Sequence, residues 1–159
     1  MSDLEYVIGA LLREKGLTLG VVESGTGGLI SHLITNVPGS SNYFKGSVTA
    51  YANDIKRKII GVKSATLEQH GAVSPQVAME MAGGGKKVLG VDICLADTGI
   101  AGPGGGTLEK PVGLFYIGLA HQGGAFSRRY QFHGTREENK QSVAEAALTW
   151  LKDYLLKTS

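Results

Sequence analysis

The residue best suited to nucleophilic chemistry is a serine placed where a strand turns into a helix. Ser24 lies in Glu23-Ser24-Gly25-Thr26-Gly27-Gly28, between the β-prone run Thr18 to Val22 and a helical repeat of Leu29, Ile30, Leu33 and Ile34. A helix start leaves backbone N–H groups unpaired, and those of Gly25, Thr26 and Gly27 could hold a developing negative charge. The same residue types suit a plainer role, because serine commonly caps helix starts. As a nucleophile, Ser24 needs a base. The four histidines (His32, His70, His121, His133) accompany no Gly-x-Ser-x-Gly elbow, and His70 before Gly71 reads as a helix C-terminus. Lys56 and Tyr51 are the better candidates. Lys56 falls in the first turn of a short helix capped by Asn53, where the dipole disfavours an ammonium by only about 0.3–1 kcal/mol, so burial must do the rest. Spacing does not choose between the two.

Two further segments could hold an anion. Thr98 to Gly106 carries five glycines but lacks the Lys-Ser or Lys-Thr ending of a nucleotide P-loop. Gly25-x-Gly27 resembles part of a dinucleotide fingerprint, yet Ile30 stands where a small residue is needed. The glycine loop can still offer N–H groups to a phosphate or carboxylate. Arg136 opens the last helix with Lys140 one turn on, a reasonable anion site.

The elements that must position these residues follow from periodicity. Leu4, Val7, Ile8, Leu11 and Leu12 predict a first helix, with Ser2 and Glu5 as a capping box and Gly16 as its stop. A second strand is predicted over Gly46 to Ala52 and a third over Val91 to Ala96. Ser74-Pro75 starts a helix that contains Gly83, Gly84 and Gly85, either a close helix–sheet contact or a broken turn. Pro111 to Ala120 and Ala125 to Phe132 form an antiparallel hairpin. Thr135, boxed by Glu138, begins a helix burying Val143, Ala147, Leu148, Leu151 and Leu155. Helices and strands alternate early and a hairpin comes late. That order predicts an α/β layered sheet, mostly parallel with one antiparallel strand.

Composition narrows the classes. At 159 residues the chain fits one domain, expected over residues 1–159, with a core that needs no staples. A net charge of +2 argues against nucleic acid as partner. A single cysteine, Cys94, excludes a disulfide framework or a multi-Cys zinc site, and no metal or cofactor is expected. The longest apolar stretches are strand-sized, so neither a membrane span nor a signal peptide is expected, and the location is cytoplasmic.

Together the motifs Glu23-Ser24-x-Thr26-Gly27-Gly28, Tyr51-x-Asn53-x-x-Lys56, His70-Gly71-Ala72-Val73-Ser74, Thr98 to Gly106 and Glu109-Lys110-Pro111-Val112-Gly113 resemble one family. It is the C-terminal domain family of the competence/damage-inducible protein CinA, whose stand-alone form is a nicotinamide mononucleotide deamidase. The resemblance implies a three-layer α/β/α domain with a mixed sheet. It also implies hydrolysis of the carboxamide of nicotinamide mononucleotide to nicotinate mononucleotide and ammonia, without a metal, by a homo-oligomer. Ser24 matches the family nucleophile, Tyr51 and Lys56 its tyrosine and lysine, and Arg136 its arginine. Glu23, Gly25, Thr26, Gly27, Asn53, Thr98 and Gly99, with Arg136 and Lys140, are then expected to bind substrate. Three features depart from the family pattern: Gly25 in place of a cysteine, Asp97 in place of a small or apolar residue, and the 83–85 glycine triplet. Gly25 and Asp97 favour an alternative, a catalytically weak nucleotide-binding or partner-binding module that keeps the pocket, and Asp97 could repel a phosphate.

Overall fold

The structure is a computed structural model that describes residues 3–158. Five strands, β1 (Leu19–Glu23), β2 (Phe44–Thr49), β3 (Ile93–Gly99), β4 (Leu114–His121) and β5 (Gly124–Gln131), form one sheet in the order β2-β1-β3-β4-β5. β1 pairs in parallel with β2 and β3, and β4 is antiparallel to both β3 and β5. Four strands therefore run one way and β4 runs against them, as the late hairpin requires.

Helices cover both faces. α1 (Leu4–Lys15), α2 (Leu29–Thr35) and α6 (Arg136–Lys157) pack on one side, where Ile8, Ile34, Leu148 and Leu151 meet Val21, Leu95 and Ile117. α5 (Pro75–Leu89) packs on the other, where Val77 and Met81 meet Val22, Cys94 and Ala96. Successive β3 residues thus serve opposite layers, the alternation of a strand buried on both faces. The glycine triplet is a close contact and not a broken turn. α5 runs unbroken through it, and a Cβ at Gly85 would lie 2.3 Å from Val22 Cγ2 and 2.7 Å from Cys94 Sγ.

Local chemistry sets the helix ends. Thr135 and Glu138 form the expected capping box of α6, and Ser74 caps α5 by accepting from the Val77 N–H with Pro75 behind it. Gly16 ends α1 in the left-handed region at φ 66°. Ser2 lies outside the described residues, and the N-cap position of α1 is Asp3. Three expectations shift. β3 starts at Ile93 and runs on through Gly99 instead of spanning Val91 to Ala96. β2 stops at Thr49, because β1 turns away after Glu23 and only the Ala50 N–H still reaches it. Asn53 is the first residue of α3 (Asn53–Ile55), not its cap, and Ala52 takes the cap position. α3 runs directly into a π-helical turn, Lys56–Ile60, and α4 (Ser64–His70) follows. No helix among the described residues is long and apolar enough to cross a membrane.

Candidate active site

β1 is the point where the strand order reverses, with β2 on one side and β3 on the other. The crevice beyond the carboxyl ends of such strands is where open α/β sheets collect ligands. A cleft of about 270 Å³ lies there. Ser24 and Gly25 after β1, Tyr51, Asn53 and Lys56 after β2, and Thr98 and Gly99 at the end of β3 line it, with Arg136 of α6. Glu23, Thr26, Gly27 and Lys140 do not.

Lys56 is the centre of the arrangement. Its side chain is 1% exposed. Nζ stands 2.8 Å from the Ala50 carbonyl, 2.9 Å from the Tyr51 carbonyl and 3.0 Å from Ser24 Oγ. Two carbonyls can only accept, so they fix two N–H bonds, and the third tetrahedral position faces Ser24. In the ammonium that position carries an N–H; in the amine it carries the lone pair, ready to take the serine proton. Burial pushes the Lys56 pKa down, and the Asp97 carboxyl works against that shift. Its start in a π-helical turn was not foreseen from sequence; such turns recur at functional sites.

Tyr51 is placed differently. It is 61% exposed, and its hydroxyl accepts from the Arg136 guanidinium at 3.2 Å, with no bond to Ser24. Arg136 also donates to the Gly102 carbonyl at 2.7 Å, so it bridges the glycine loop and Tyr51 across the cleft mouth. Asn139, which sequence reasoning missed, anchors the same loop. It is buried, donates to the Ala101 carbonyl at 3.0 Å and accepts from the Gly134 N–H at 2.9 Å. Its place one turn inside a capped helix was the available signal. The Thr98 hydroxyl is spent on the Ala72 carbonyl at 2.8 Å, which ties the loop after α4 to β3.

The turn after β1 corrects several sequence expectations. Ser24 does not cap α2; the N-cap position is Gly28, which has no side chain to offer. Glu23 serves instead. Fully buried, its carboxylate accepts from the N–H groups of Gly28, Ile30 and Ser31 and from the Ser31 hydroxyl. Strand alternation aims it toward α2, away from the cleft. The Thr26 N–H goes to Asp97 Oδ1 at 3.1 Å and the Gly27 N–H to the Ser24 carbonyl at 3.1 Å. Of the three amides expected to stabilise an oxyanion, only that of Gly25 is uncommitted. Lys140 reaches the outside of the turn, with Nζ 3.5 Å from where a Cβ on Gly27 would sit.

The two departures in the motifs sit behind this turn. A Cβ on Gly25 would meet Phe115 Cε2 at 2.5 Å, and one on Gly99 would meet Phe115 Cδ2 at 2.2 Å. The Phe115 ring fills the space that a larger residue at 25 would need. Asp97 is fully buried and does not line the cleft, so it does not face a bound anion there. It accepts from the Ser24 and Thr26 N–H groups instead. Burial first, and the Glu23 charge second, hold its pKa up to about 6 against the bonds from Thr26 and Ser24. No group of three or more His, Cys, Asp or Glu among the described residues could hold a metal ion.

Comparison with known proteins gives one consistent result. Residues 1–155 match the family model of the CinA C-terminal domain. The chain is 47% identical over 155 residues to the CinA-like protein of Geotalea uraniireducens, covering 98% of this chain and 37% of that protein. It is also 47% identical over 155 residues to the CinA-like protein of Geobacter sulfurreducens, covering 98% and 38%. The chain therefore spans little more than a third of these relatives. The crystal structure of a competence/damage inducible protein from Agrobacterium tumefaciens superimposes with a TM-score of 0.90 at 36% identity, covering 99% of this chain and 98% of that one. A CinA superfamily protein from Klebsiella pneumoniae gives a TM-score of 0.94 at 27% identity, covering 98% of each chain.

Proposed function

We propose that this chain, which belongs to the CinA C-terminal domain family, is an amidohydrolase that deamidates nicotinamide mononucleotide through Ser24. One observation carries the reading: a buried lysine whose nitrogen is fixed by two carbonyls and aimed at a serine hydroxyl 3.0 Å away. A buried ammonium is costly, so the arrangement favours the amine that general-base chemistry needs.

Ser24 Oγ attacks the carboxamide carbon while Lys56 Nζ takes its proton. The oxygen of the tetrahedral intermediate turns to the free Gly25 N–H. Lys56 returns the proton to the leaving nitrogen, and ammonia departs. Water, deprotonated by the same amine, then hydrolyses the acyl-serine to the carboxylate and frees Ser24. Tyr51 takes no proton in this scheme; with Arg136 it shapes the mouth. The N–H groups of Arg136 left over from Gly102 and Tyr51 are the handle for the phosphate. The features that favoured a binding-only module do not obstruct the cleft. Phe115 fills the room beside Gly25, and Asp97 faces the protein interior.

The test is ammonia release from nicotinamide mononucleotide by the purified protein, with Ser24→Ala as the control. Turnover that disappears in the variant supports the reading. Binding without turnover in the wild-type protein overturns it in favour of a binding module.

A further inference from the structure

The Thr26 hydroxyl lies between two buried carboxyl groups. It is 2.6 Å from Glu23 Oε1 and within hydrogen-bond distance of Asp97 Oδ2. All three residues are fully buried. A hydroxyl owns one proton and can donate to one of the two. With both carboxyls ionised, the second would press its lone pairs on the hydroxyl oxygen's, inside the protein and beside another negative charge. One carboxyl must carry a proton.

Hydrogen-bond counting says which. Glu23 accepts four bonds at the start of α2, three of them from backbone N–H groups, the surroundings of a carboxylate. Asp97 Oδ1 accepts one N–H, from Thr26 at 3.1 Å, and Oδ2 accepts only a long one, from Ser24 at 3.3 Å. An Oδ2–H can give its proton to Thr26 and still accept that long bond.

We propose that Asp97 is a positioning residue that works as a neutral carboxylic acid, donating its proton to the Thr26 hydroxyl so that Thr26 can donate to Glu23, and thereby fixing the turn that carries Ser24. The charged groups facing Asp97 are Glu23 from β1 and Lys56 from the π-helical turn; Phe115 from β4 adds none, and Lys140 of α6 stays outside the turn. Ionising Asp97 therefore has two effects. It breaks the proton chain at Thr26, and it places a second negative charge near Lys56, which holds the lysine proton on. The consequence for catalysis rests on the amidohydrolase reading; the proton placement does not.

Asparagine is the discriminating replacement. Its carbonyl can accept from the Thr26 N–H while its amide donates to Thr26 Oγ1, the sense assigned to the protonated acid, giving up only the long bond from the Ser24 N–H. The proposal therefore expects Asp97→Asn to keep kcat/KM on nicotinamide mononucleotide within about threefold of wild type near neutral pH. The acid limb of its pH profile should stay where it is, because the amide carries the same charge as the protonated acid. Asp97→Ala should lose about tenfold or more, because the turn loses its partner. If Asp97 served as an anion, Asp97→Asn would be as damaging as Asp97→Ala, and its acid limb would move to lower pH as the charge beside Lys56 is lost.

The proton itself is read without substrate, by carbon-13 NMR of wild-type protein carrying carboxyl-labelled aspartate, titrated from about pH 4 to about pH 8. Asp3, Asp54 and Asp92 are exposed and Asp153 is only partly covered. One resonance should stay protonated well above the ordinary aspartate range, through the pH at which activity is assayed, and be missing from Asp97→Asn, and Thr26→Val should shift it most. Every aspartate titrating in the ordinary range near about 4 would overturn the proposal, whatever the activity assays show. A wild-type protein that releases no ammonia yet shows this resonance would remove the amidohydrolase reading and leave the proton chain standing.

Discussion

Ser24 and Lys56 are 32 residues apart in the chain and 3.0 Å apart in space. They meet because β1 and β2 are parallel neighbours that end together, with Glu23 paired to Thr49. Ser24 is the first residue beyond β1, and Lys56 rides the helical turn beyond β2. The carbonyls of Ala50 and Tyr51, released from the sheet where β2 stops, close on Nζ from the other side. Strand ends, loop carbonyls and the π-helical turn thus place one amine against one hydroxyl.

Ser24→Ala should abolish ammonia release while leaving the fold intact. The hydroxyl caps no helix, and its one bond is with Lys56. Its loss should cost about 1 kcal/mol, or about 2–4 °C in Tm. Residual activity near wild type would end the nucleophile assignment.

Lys56→Arg should be as inactive as Lys56→Met, because a guanidinium cannot give up its proton to become a base. Wild-type kcat/KM should rise with pH through the Lys56 pKa, which burial lowers from the ordinary lysine value. The sign for stability is the same. A depressed lysine pKa means the unfolded chain binds more protons, so this contribution is present above the unfolded value and lost as pH falls through the folded one. Methionine fills the space without a charge and should flatten the stability dependence. An active Lys56→Arg enzyme would reduce the lysine to an electrostatic support.

Tyr51→Phe separates a mouth residue from a base. The hydroxyl touches Arg136 and not Ser24, so its removal should lower kcat/KM by less than about fivefold, mostly through KM. Loss of a general base costs about 10²–10⁴-fold in rate. A drop of that size in kcat would return Tyr51 to the chemistry.

What is legible in the sequence is what local bonding decides. The Thr135–Glu138 box, the Ser74-Pro75 start and the Gly16 stop depend on neighbours within four residues, and all three appear as expected. The layered sheet follows from the order of elements. The choice between Lys56 and Tyr51 is not legible, because it turns on where β2 leaves the sheet, a matter of how long β1 stays beside it. Glu23 shows a signal that was present and unused. Val21 and Glu23 share one face of β1, and Val21 packs in the α2 layer, so alternation already aims Glu23 at α2. The family resemblance placed it among the substrate-binding residues instead.

Glu23→Gln tests that correction. The amide replaces one accepting oxygen with a donor, which must then face the Thr26 hydroxyl and two N–H groups, or the Ser31 pair. A buried N–H left without an acceptor costs about 1–3 kcal/mol, so Tm should fall by about 3–10 °C. KM should change little, since Glu23 does not line the cleft. A large KM effect with an unchanged Tm would put the residue back among the groups that hold substrate.

Arg136 carries the last expectation, which separates grip from architecture. Its guanidinium spans the mouth from the Gly102 carbonyl to the Tyr51 hydroxyl, and a planar fork with N–H groups to spare can hold a phosphate bidentately. Removing a charge-assisted contact of that kind should cost about 1.5–3 kcal/mol, or roughly ten- to hundred-fold in kcat/KM. Arg136→Ala also releases the glycine loop from one of its two ties to α6, but Asn139 keeps the other at Ala101. The comparison that isolates the phosphate uses nicotinamide mononucleotide and the riboside that lacks it, each on wild type and variant. A phosphate contact predicts a large loss on the mononucleotide and little change on the riboside. Arg136→Lys should recover part of the difference, because an ammonium keeps the charge and forfeits the fork. Equal losses on both substrates would mean that Arg136 shapes the mouth through Gly102 and Tyr51, and that the phosphate is held elsewhere.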